Sequence, residues 1–436
     1  MTVAPANPSP PSNKAALFTV FFVIFIDLLG FGIVLPLLPR YAANLLSPAG
    51  IPDHLHGLTT GALFAVFSLM QFVFAPIWGR VSDRIGRRPI LLLGLAGSVV
   101  FYSLFGFASA SILSDGQMAP DVARFALLLM FIARIGAGIA GATISTAQAV
   151  IADSTSQEKR AHGMALIGMA FGGGFTFGPL LGGAALIFAP DHPQFAGYFA
   201  AGLSLVAWLL AMFKLPETLK RDNELPPRGW LDVRGLYSTL QTPTVGILVL
   251  TFFLATFGFA KFESTLSLLT KEIKSASRPD GYTDQDNFWI FTYVGFVFLL
   301  AAGYSRQLLK KLPEIKLMRL GVGSMFLGLA GLTAVALSDE SALRSIGFFI
   351  SLALGVTGFA FLTPSSQALI SKRSDPNRQG EVLGVNQSFS SLARILGPIV
   401  GITLFFVPGT HHVLPYVASA VMLVIVIGLL TRIKRN

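Results

Sequence analysis

Residues 79–89 read GRVSDRIGRRP and lie between two long apolar stretches of the chain. The segment places a single acid, Asp83, among four arginines. The flanking stretches, near 57–79 and 89–111, are each long enough to cross about 30 Å of hydrocarbon as a helix. A short charged connection between two such stretches predicts a helical hairpin in a membrane, with its turn at the membrane surface.

The composition of the whole chain agrees with a membrane protein. Of its 436 residues, 53% are hydrophobic and only 12% are charged, whereas soluble proteins average about a quarter charged. Cysteine is absent, which excludes disulfides and thiolate metal sites. We predict an all-α fold of twelve transmembrane helices, near residues 15–39, 57–79, 89–111, 122–151, 160–189, 194–213, 242–271, 286–305, 315–337, 343–370, 380–407 and 412–431.

The net charge of +10 reflects membrane topology and does not indicate a nucleic-acid partner. With the N-terminus inside, 23 of the 32 lysines and arginines fall in inside loops and ends, and 6 fall outside. Such a bias predicts the cytoplasmic side of a membrane protein. Both termini are therefore predicted to be cytoplasmic. Residues 1–14 are rich in proline. This composition predicts a disordered tail and not a signal peptide.

The chain divides into two related halves. Residues 15–213 and 242–436 each hold six predicted spans, and the polar segment 214–241 is the predicted cytoplasmic linker between them. Short matches recur at an offset of 219 residues, for example Gln148-Ala149 with Gln367-Ala368. Two related bundles are a known transporter architecture, so we predict pseudo-symmetric six-helix bundles.

The charged segment at 79–89 resembles the loop between helices 2 and 3 of the major facilitator superfamily. An acid at Asp83 can face the N-terminus of a neighbouring helix, and arginine binds carboxylates in a fixed fork geometry. The resemblance implies a gate that holds the halves together during part of the transport cycle; the alternative is charge that only sets topology. The predicted cytoplasmic gate comprises Gly79, Asp83, Arg84, Gly86, Arg87, Arg88, Asp153 and Glu217.

Two charges in the first half lie deep in predicted spans. Asp27 is 13 residues from Lys14, hence about 20 Å from the inner side, and Arg134 is about 18 Å from the outer end. Charges near the bilayer centre usually face a cavity and pair with each other. We predict that Asp27 and Arg134 are coupled and that Asp27 carries protons. A fixed structural ion pair is the alternative.

The first half also resembles drug–proton antiporters, especially tetracycline-efflux proteins. The resemblance includes helix 5, where the antiporter motif of the family falls on Gly174, Gly178, Pro179 and Gly182. It implies export, while helix packing alone is the other interpretation. Tetracycline-efflux proteins carry an acid in helix 3 where this chain has Phe101, which makes tetracycline itself a weaker expectation.

The second half resembles the eukaryotic tetracycline-transporter-like branch, whose proteins are linked to export of organic anions and drugs. Glu263 lies on a polar face of predicted helix 7, and Arg394 lies on a polar stripe of helix 11. We predict that these two residues pair across a cavity, that Glu263 contributes to proton coupling, and that Lys261 extends outward. Contacts between helices alone are the alternative. The predicted cavity comprises Asp27, Arg134, Gln148, Glu263, Gln387, Ser390 and Arg394.

These features predict a proton-coupled exporter of amphipathic drugs or organic anions that works by alternating access. A symporter or an uncoupled facilitator for a sugar, an organic acid or a lipid would use the same fold. No nucleophile or metal-binding pattern indicates an enzyme, and no cofactor is expected. The expected partners are a small-molecule substrate, protons and the lipid bilayer, and we expect a monomer in a bacterial inner membrane.

Overall fold

The computed structural model describes residues 14–34, 37–111, 118–188, 192–219, 240–273, 281–282, 284–338, 342–375, 378–431 and 433. The predicted tail and most of the predicted linker lie outside these residues. Fourteen helices are defined within the described part. They are α1 (Lys14–Val34), α2 (Leu38–Leu46), α3 (Asp53–Ile85), α4 (Arg87–Ser109), α5 (Pro120–Gly141), α6 (Ile144–Asp153), α7 (Arg160–Phe188), α8 (Gln194–Lys214), α9 (Pro243–Glu272), α10 (Asp284–Leu308), α11 (Glu314–Leu337), α12 (Ala342–Lys372), α13 (Gln379–Phe405) and α14 (Leu414–Thr431).

The predicted all-α fold with twelve membrane-length helices is confirmed. The fourth span is formed by α5 and α6 together, which a turn at Ala142 and Thr143 separates. The first span is shorter than predicted, because α1 ends at Val34 and the separate short helix α2 follows it. The chain is thus a multi-pass integral membrane protein, since helices satisfy their own backbone groups in lipid.

The charged segment at 79–89 differs from the predicted loop because almost all of it is helical. Helix α3 continues to Ile85, and α4 begins at Arg87. Only Gly86 lies between them, with φ of +114°. This backbone conformation is accessible to glycine and strained for other residues. A side chain at this position would also collide with the carboxylate of Glu217.

The two halves meet mainly along two pairs of antiparallel helices, α3 with α13 and α7 with α10, and α7 with α12 and α6 with α13 add smaller contacts. Glycines permit both close approaches. A methyl group added at Gly384 would lie 2.7 Å from the carbonyl oxygen of Ala75, and one added at Gly172 would lie 2.7 Å from the Cα of Leu299. Such contacts are tighter than ordinary packing allows, so these glycines set the distance between the halves.

Candidate functional site: the closed gate and two membrane-embedded charged sites

Asp83 binds the N-terminus of a helix in the other half. Its carboxylate accepts hydrogen bonds from the backbone N–H groups of Gly380 (3.0 Å) and Glu381 (2.8 Å) in the first turn of α13. The unpaired N–H groups and the dipole of a helix N-terminus favour an acid at this place. Asp83 also forms an ion pair with Arg87. One acid therefore joins α3, α4 and α13.

Further charges extend this contact into a cluster. Arg87 donates from Nε to Asp153 (3.1 Å) at the end of α6. Glu381 accepts from Arg80 of the first half (3.3 Å) and from Arg378 (2.9 Å). We call the six residues the gate cluster, and its members are Arg80, Asp83, Arg87, Asp153, Arg378 and Glu381.

The gate cluster combines three carboxylates with three guanidinium groups, so its charges balance. The side chains of Arg87 and Asp83 are only 1% and 4% exposed. Removing one partner of such a buried pair typically costs about 3–5 kcal/mol, because the other charge stays buried alone. Separation of the halves must therefore be accompanied by rehydration or re-pairing of these groups.

Glu217, a residue of the predicted gate, binds backbone groups at the start of α4. Its carboxylate accepts hydrogen bonds from the backbone N–H groups of Arg87 (2.9 Å) and Arg88 (3.2 Å) at the start of α4. The Arg88 side chain instead donates to the carbonyl oxygen of Met212 (2.6 Å). Glu217 thus caps α4. Arg84 lies in the last turn of α3.

Polar contacts continue from the gate cluster along α3 and α13 towards the membrane centre. Ser388 donates to the carbonyl oxygen of Phe72 (2.6 Å), and Arg394 donates to the side-chain oxygen of Gln71 (3.1 Å). Gln71 belongs to the first half and Arg394 to the second. We call this row the α3–α13 seam, from Asp83–Gly380 to Gln71–Arg394. The described state is closed at the predicted cytoplasmic end.

In the first half, the structure does not bring Asp27 and Arg134 together as an ion pair. Asp27 is hydrogen-bonded to Ser98 of α4, and its Oδ1 is buried without a hydrogen-bond partner. Arg134 donates from Nε to the carbonyl oxygen of Leu63 (3.1 Å) and lies 4.4 Å from the centre of the Phe67 ring. In the described state the two side chains thus have separate partners on α3 and α4, which does not agree with the alternative of a fixed ion pair.

In the second half, Glu263 and Arg394 lie close enough to interact electrostatically, but they do not form an ion pair at contact distance. Arg394 instead donates to Ser390 (2.9 Å), Ser391 (3.0 Å) and Gln71. Lys261 is buried at 2% exposure, against the predicted outward extension. Its Nζ lies 4.7 Å from the centre of the Phe257 ring, within the range of a cation–π contact.

Several buried amides near the closed end have no hydrogen-bond partner in the structure. Both side-chain polar atoms of Gln148 and of Asn386 lack a hydrogen-bond partner, and the side-chain oxygen of Gln367 lacks one too. Gln387 is also buried, at 4% exposure. Unsatisfied buried amides are rare and indicate water or a ligand. Gln148 and Gln367 are the repeat partners found in the sequence.

The glycines of the predicted antiporter motif pack α7 against α1 within the first half. A methyl group added at Gly178 would lie 2.5 Å from the Cα of Gly32, and one added at Gly174 would lie 2.7 Å from Leu28 Cβ. Gly182 approaches the carbonyl oxygen of Ile33 in the same way. The side chain of Pro179 lies outside the described part. The motif therefore fixes the position of α1, which carries Asp27.

Sequence reasoning missed several residues of these sites, among them Gln71, Arg80, Tyr102, Arg378 and Glu381. Tyr102 is buried in the first half beside Arg134. A signal existed for Glu381, since it is the one acid in the predicted start of helix 11. No group of three or more potential metal ligands occurs among the residues that the structure describes.

Two linked bundles of membrane-length helices, with charges inside the membrane and a closed gate at one end, define a membrane transport protein. Residues 20–398 match the profile of the Major Facilitator Superfamily. The chain belongs to this superfamily and is one of its transporters.

Named relatives are similar to this chain over nearly its whole length. "Tetracycline resistance protein, class E" of Escherichia coli is 31% identical over 382 residues, covering 87% of this chain and 85% of the relative. Human "Major facilitator superfamily domain-containing protein 10" is 28% identical over 460 residues, covering 93% and 90%. Both resemblances noted in the sequence, to tetracycline-efflux proteins and to the eukaryotic branch, are confirmed.

Solved structures share the fold. The crystal structure of the human organic anion transporter MFSD10 (TETRAN) superposes with a TM-score of 0.78 at 24% identity, covering 96% of this chain and all (100%) of the other. The proton:xylose symporter XylE gives a TM-score of 0.73 at 16% identity, with 95% of each chain covered.

Proposed function

We propose that this chain is a proton-coupled exporter of amphipathic small molecules, either drugs or organic anions, that works by alternating access. The observation that carries this proposal is Asp27, a carboxylate within a membrane-spanning helix whose Oδ1 is buried without a partner. A buried carboxylate is costly to keep charged. It can therefore take up a proton in one state of the cycle and release it in another.

The gate cluster and the α3–α13 seam supply the second requirement, a barrier that can open. In the described state they close the predicted cytoplasmic end, and the substrate would enter the cavity from that side when they separate. Substrate would then lie between the halves near Asp27, Arg134, Glu263 and Arg394. Protons entering from the opposite side would drive release.

The descriptions of the relatives support this class of substrate. One relative is a tetracycline resistance protein and another is described as an organic anion transporter. We further propose that residues 15–213 and 242–436 move as two bodies joined by the linker 214–241, and that both termini are cytoplasmic. The protein then acts as a monomer in a bacterial inner membrane. It uses no cofactor and does not convert its substrate chemically.

The test uses the purified full chain in proteoliposomes with an imposed proton gradient and a pH dye in the lumen. A panel of tetracycline, aromatic carboxylates and lipophilic cations is added outside. We expect at least one class to drive proton flux and Asp27→Asn to abolish that flux at normal protein levels. Asp53→Asn is the matched control, because the Asp53 side chain is fully exposed (100%) at the start of α3.

Two results would contradict the proposal. Substrate movement without proton flux, equal in wild type and Asp27→Asn, would indicate an uncoupled facilitator. Proton and substrate moving in the same direction would indicate a symporter.

A further inference from the structure

Among the buried polar atoms of the first half that have no hydrogen-bond partner, two belong to opposite charges deep in membrane spans. They are Oδ1 of Asp27 and Nη1 of Arg134. Arg134 is only 2% exposed. Buried charges without compensation are strongly destabilising, yet this acid and this base do not form an ion pair. A buried group that adjoins both α1 and Arg134 is therefore of particular interest.

That group is Tyr102 on α4. It is 4% exposed, and its ring packs against α1 where α1 has no side chain, since a methyl group added at Gly30 would lie 3.0 Å from Cε2 of the ring. Ser98, one helical turn before Tyr102, holds Asp27. Residues four apart share one face of a helix, so α4 presents both hydroxyl groups towards the Asp27 side of α1.

Tyr102 also reaches Arg134, because the two side chains line the same small pocket between α4 and α5. Its phenol interacts electrostatically with both Asp27 and Arg134. Among the described residues, no ion pair or hydrogen bond joins Asp27 directly to Arg134, and one atom of each has no partner. Tyr102, which packs against α1 and lines a pocket with Arg134, is therefore placed to connect them.

We propose that Tyr102 is the positioning residue that couples Asp27 to Arg134, an inference that rests on the proposed proton-coupling role of Asp27. The coupling uses two hydrogen bonds, and neither is formed in the described state, where Asp27 Oδ1 and Arg134 Nη1 have no partner. They form while Asp27 is ionised, when the Tyr102 O–H donates to its carboxylate and the phenol oxygen accepts from an Arg134 N–H. When a proton from water binds Asp27, the carboxyl group has its own donor and the phenol is released from it. Tyr102 keeps its proton throughout, and no covalent bond other than the Asp27 O–H forms or breaks.

The role predicts a measurable change in the proton affinity of Asp27. In the full chain reconstituted in lipid, infrared difference spectroscopy across a pH titration follows the C=O stretch of the protonated carboxyl, and Asp27→Asn assigns the band. Tyr102→Phe keeps the ring and removes the hydroxyl. A hydrogen bond to the charged form favours that form, so its loss moves the titration midpoint of the band to higher pH, by about one unit, or roughly tenfold in proton affinity.

Tyr41→Phe is the matched control. Tyr41 is equally buried in the first half, at 2% exposure, but its hydroxyl donates to the carbonyl oxygen of Pro193 (2.7 Å), away from Asp27. We expect Tyr41→Phe to leave the band in place, even if it lowers the melting temperature of the protein.

The outcomes separate the two proposals. An unmoved band in Tyr102→Phe, or an equal shift in Tyr41→Phe, overturns the role of Tyr102 and leaves the proposed function to the proton-flux assay. A band that shifts as expected, in a protein that carries no substrate-driven proton flux, supports Tyr102 and contradicts proton-coupled export. An Asp27 carboxyl that never titrates overturns both.

Discussion

At the scale of single residues, two carboxylates near the gate bind backbone N–H groups at helix starts. Asp83 binds the first turn of α13, and Glu217 binds the first turn of α4. Glu217 also accepts from its own following N–H groups, at Thr218 and Leu219 (both 2.9 Å). A helix start offers several donors in a fixed arrangement, so one carboxylate can fix the position of a whole helix.

Glu217→Gln tests this capping role. The amide retains one acceptor oxygen and loses the charge, so we expect the start of α4 to lose about 1 kcal/mol of capping free energy. Thermal unfolding in detergent, followed by circular dichroism, measures the change as a lower melting temperature. Glu158→Gln is the control, because Glu158 is exposed and contacts only Ser156 among the residues described. Equal melting temperatures for the two variants would contradict the cap.

At the scale of helices, the α3–α13 seam depends on glycine as much as on charge. Gly79 and Gly380 face each other so closely that a methyl group on either would collide with the carbonyl oxygen of the other. Gly384 continues this contact one turn further along α13. Small residues let two helices approach at backbone distance in a membrane. The buried charges of the gate cluster can pair only at that separation.

Gly384→Ala tests whether close approach holds the gate shut. The added methyl group overpacks the seam at a cost of about 1–3 kcal/mol, which would raise the open population by roughly tenfold or more. Because the native chain has no cysteine, a single Gln148→Cys serves as reporter. Gln148 is fully buried in the closed state.

We expect Gly384→Ala to increase labelling of that reporter by a membrane-impermeant maleimide added on the cytoplasmic side. Gly202→Ala is the control, because a methyl group at Gly202 meets nothing within 4 Å. Unchanged labelling in Gly384→Ala would show that the seam tolerates the extra volume and that charge alone closes the gate.

The sequence was sufficient to predict the helices and the type of gate. Apolar runs of membrane length and the charged segment around Asp83 are local signals, and they require no knowledge of packing. Glu381 and Gln71 could not be predicted in their roles, since both depend on the register of α3 against α13, about 300 residues apart in the chain. The same holds for Asp27 and Arg134, whose similar depths predicted coupling, while their separate partners on α4 and α3 depend on helix packing.

At the scale of the whole molecule, the contacts along α3 and α13 are contacts between the two halves. Under the proposed alternating-access mechanism, in which each half moves as one body, these contacts must break together. A covalent bridge across the seam should therefore stop transport completely, whereas a bridge within one half should leave it intact.

A pair of introduced cysteines tests this expectation. Phe72→Cys with Ser388→Cys spans the seam, where the native Ser388 hydroxyl bonds the carbonyl oxygen of residue 72. Val335→Cys with Gly347→Cys lies within the second half, where a methyl group at Gly347 would be 3.3 Å from Val335. After cross-linking with a short bifunctional thiol reagent, we expect loss of transport only for the first pair. When the cross-linker is a cleavable one, a reductant should break the bridge and restore transport. Continued transport by the bridged first pair would show that the seam stays closed throughout the cycle.

The short connection between α3 and α4 separates the contacts of the gate cluster into two kinds: those within the first half and those between the halves. Only Gly86 connects the two helices, and both belong to the first half. We therefore expect α3 and α4 to move together, so that the ion pair between Asp83 and Arg87 persists when the halves separate. The contacts expected to break are those of Asp83 with α13 and of Arg80 with Glu381, while Arg87 keeps Asp83 charged and in position.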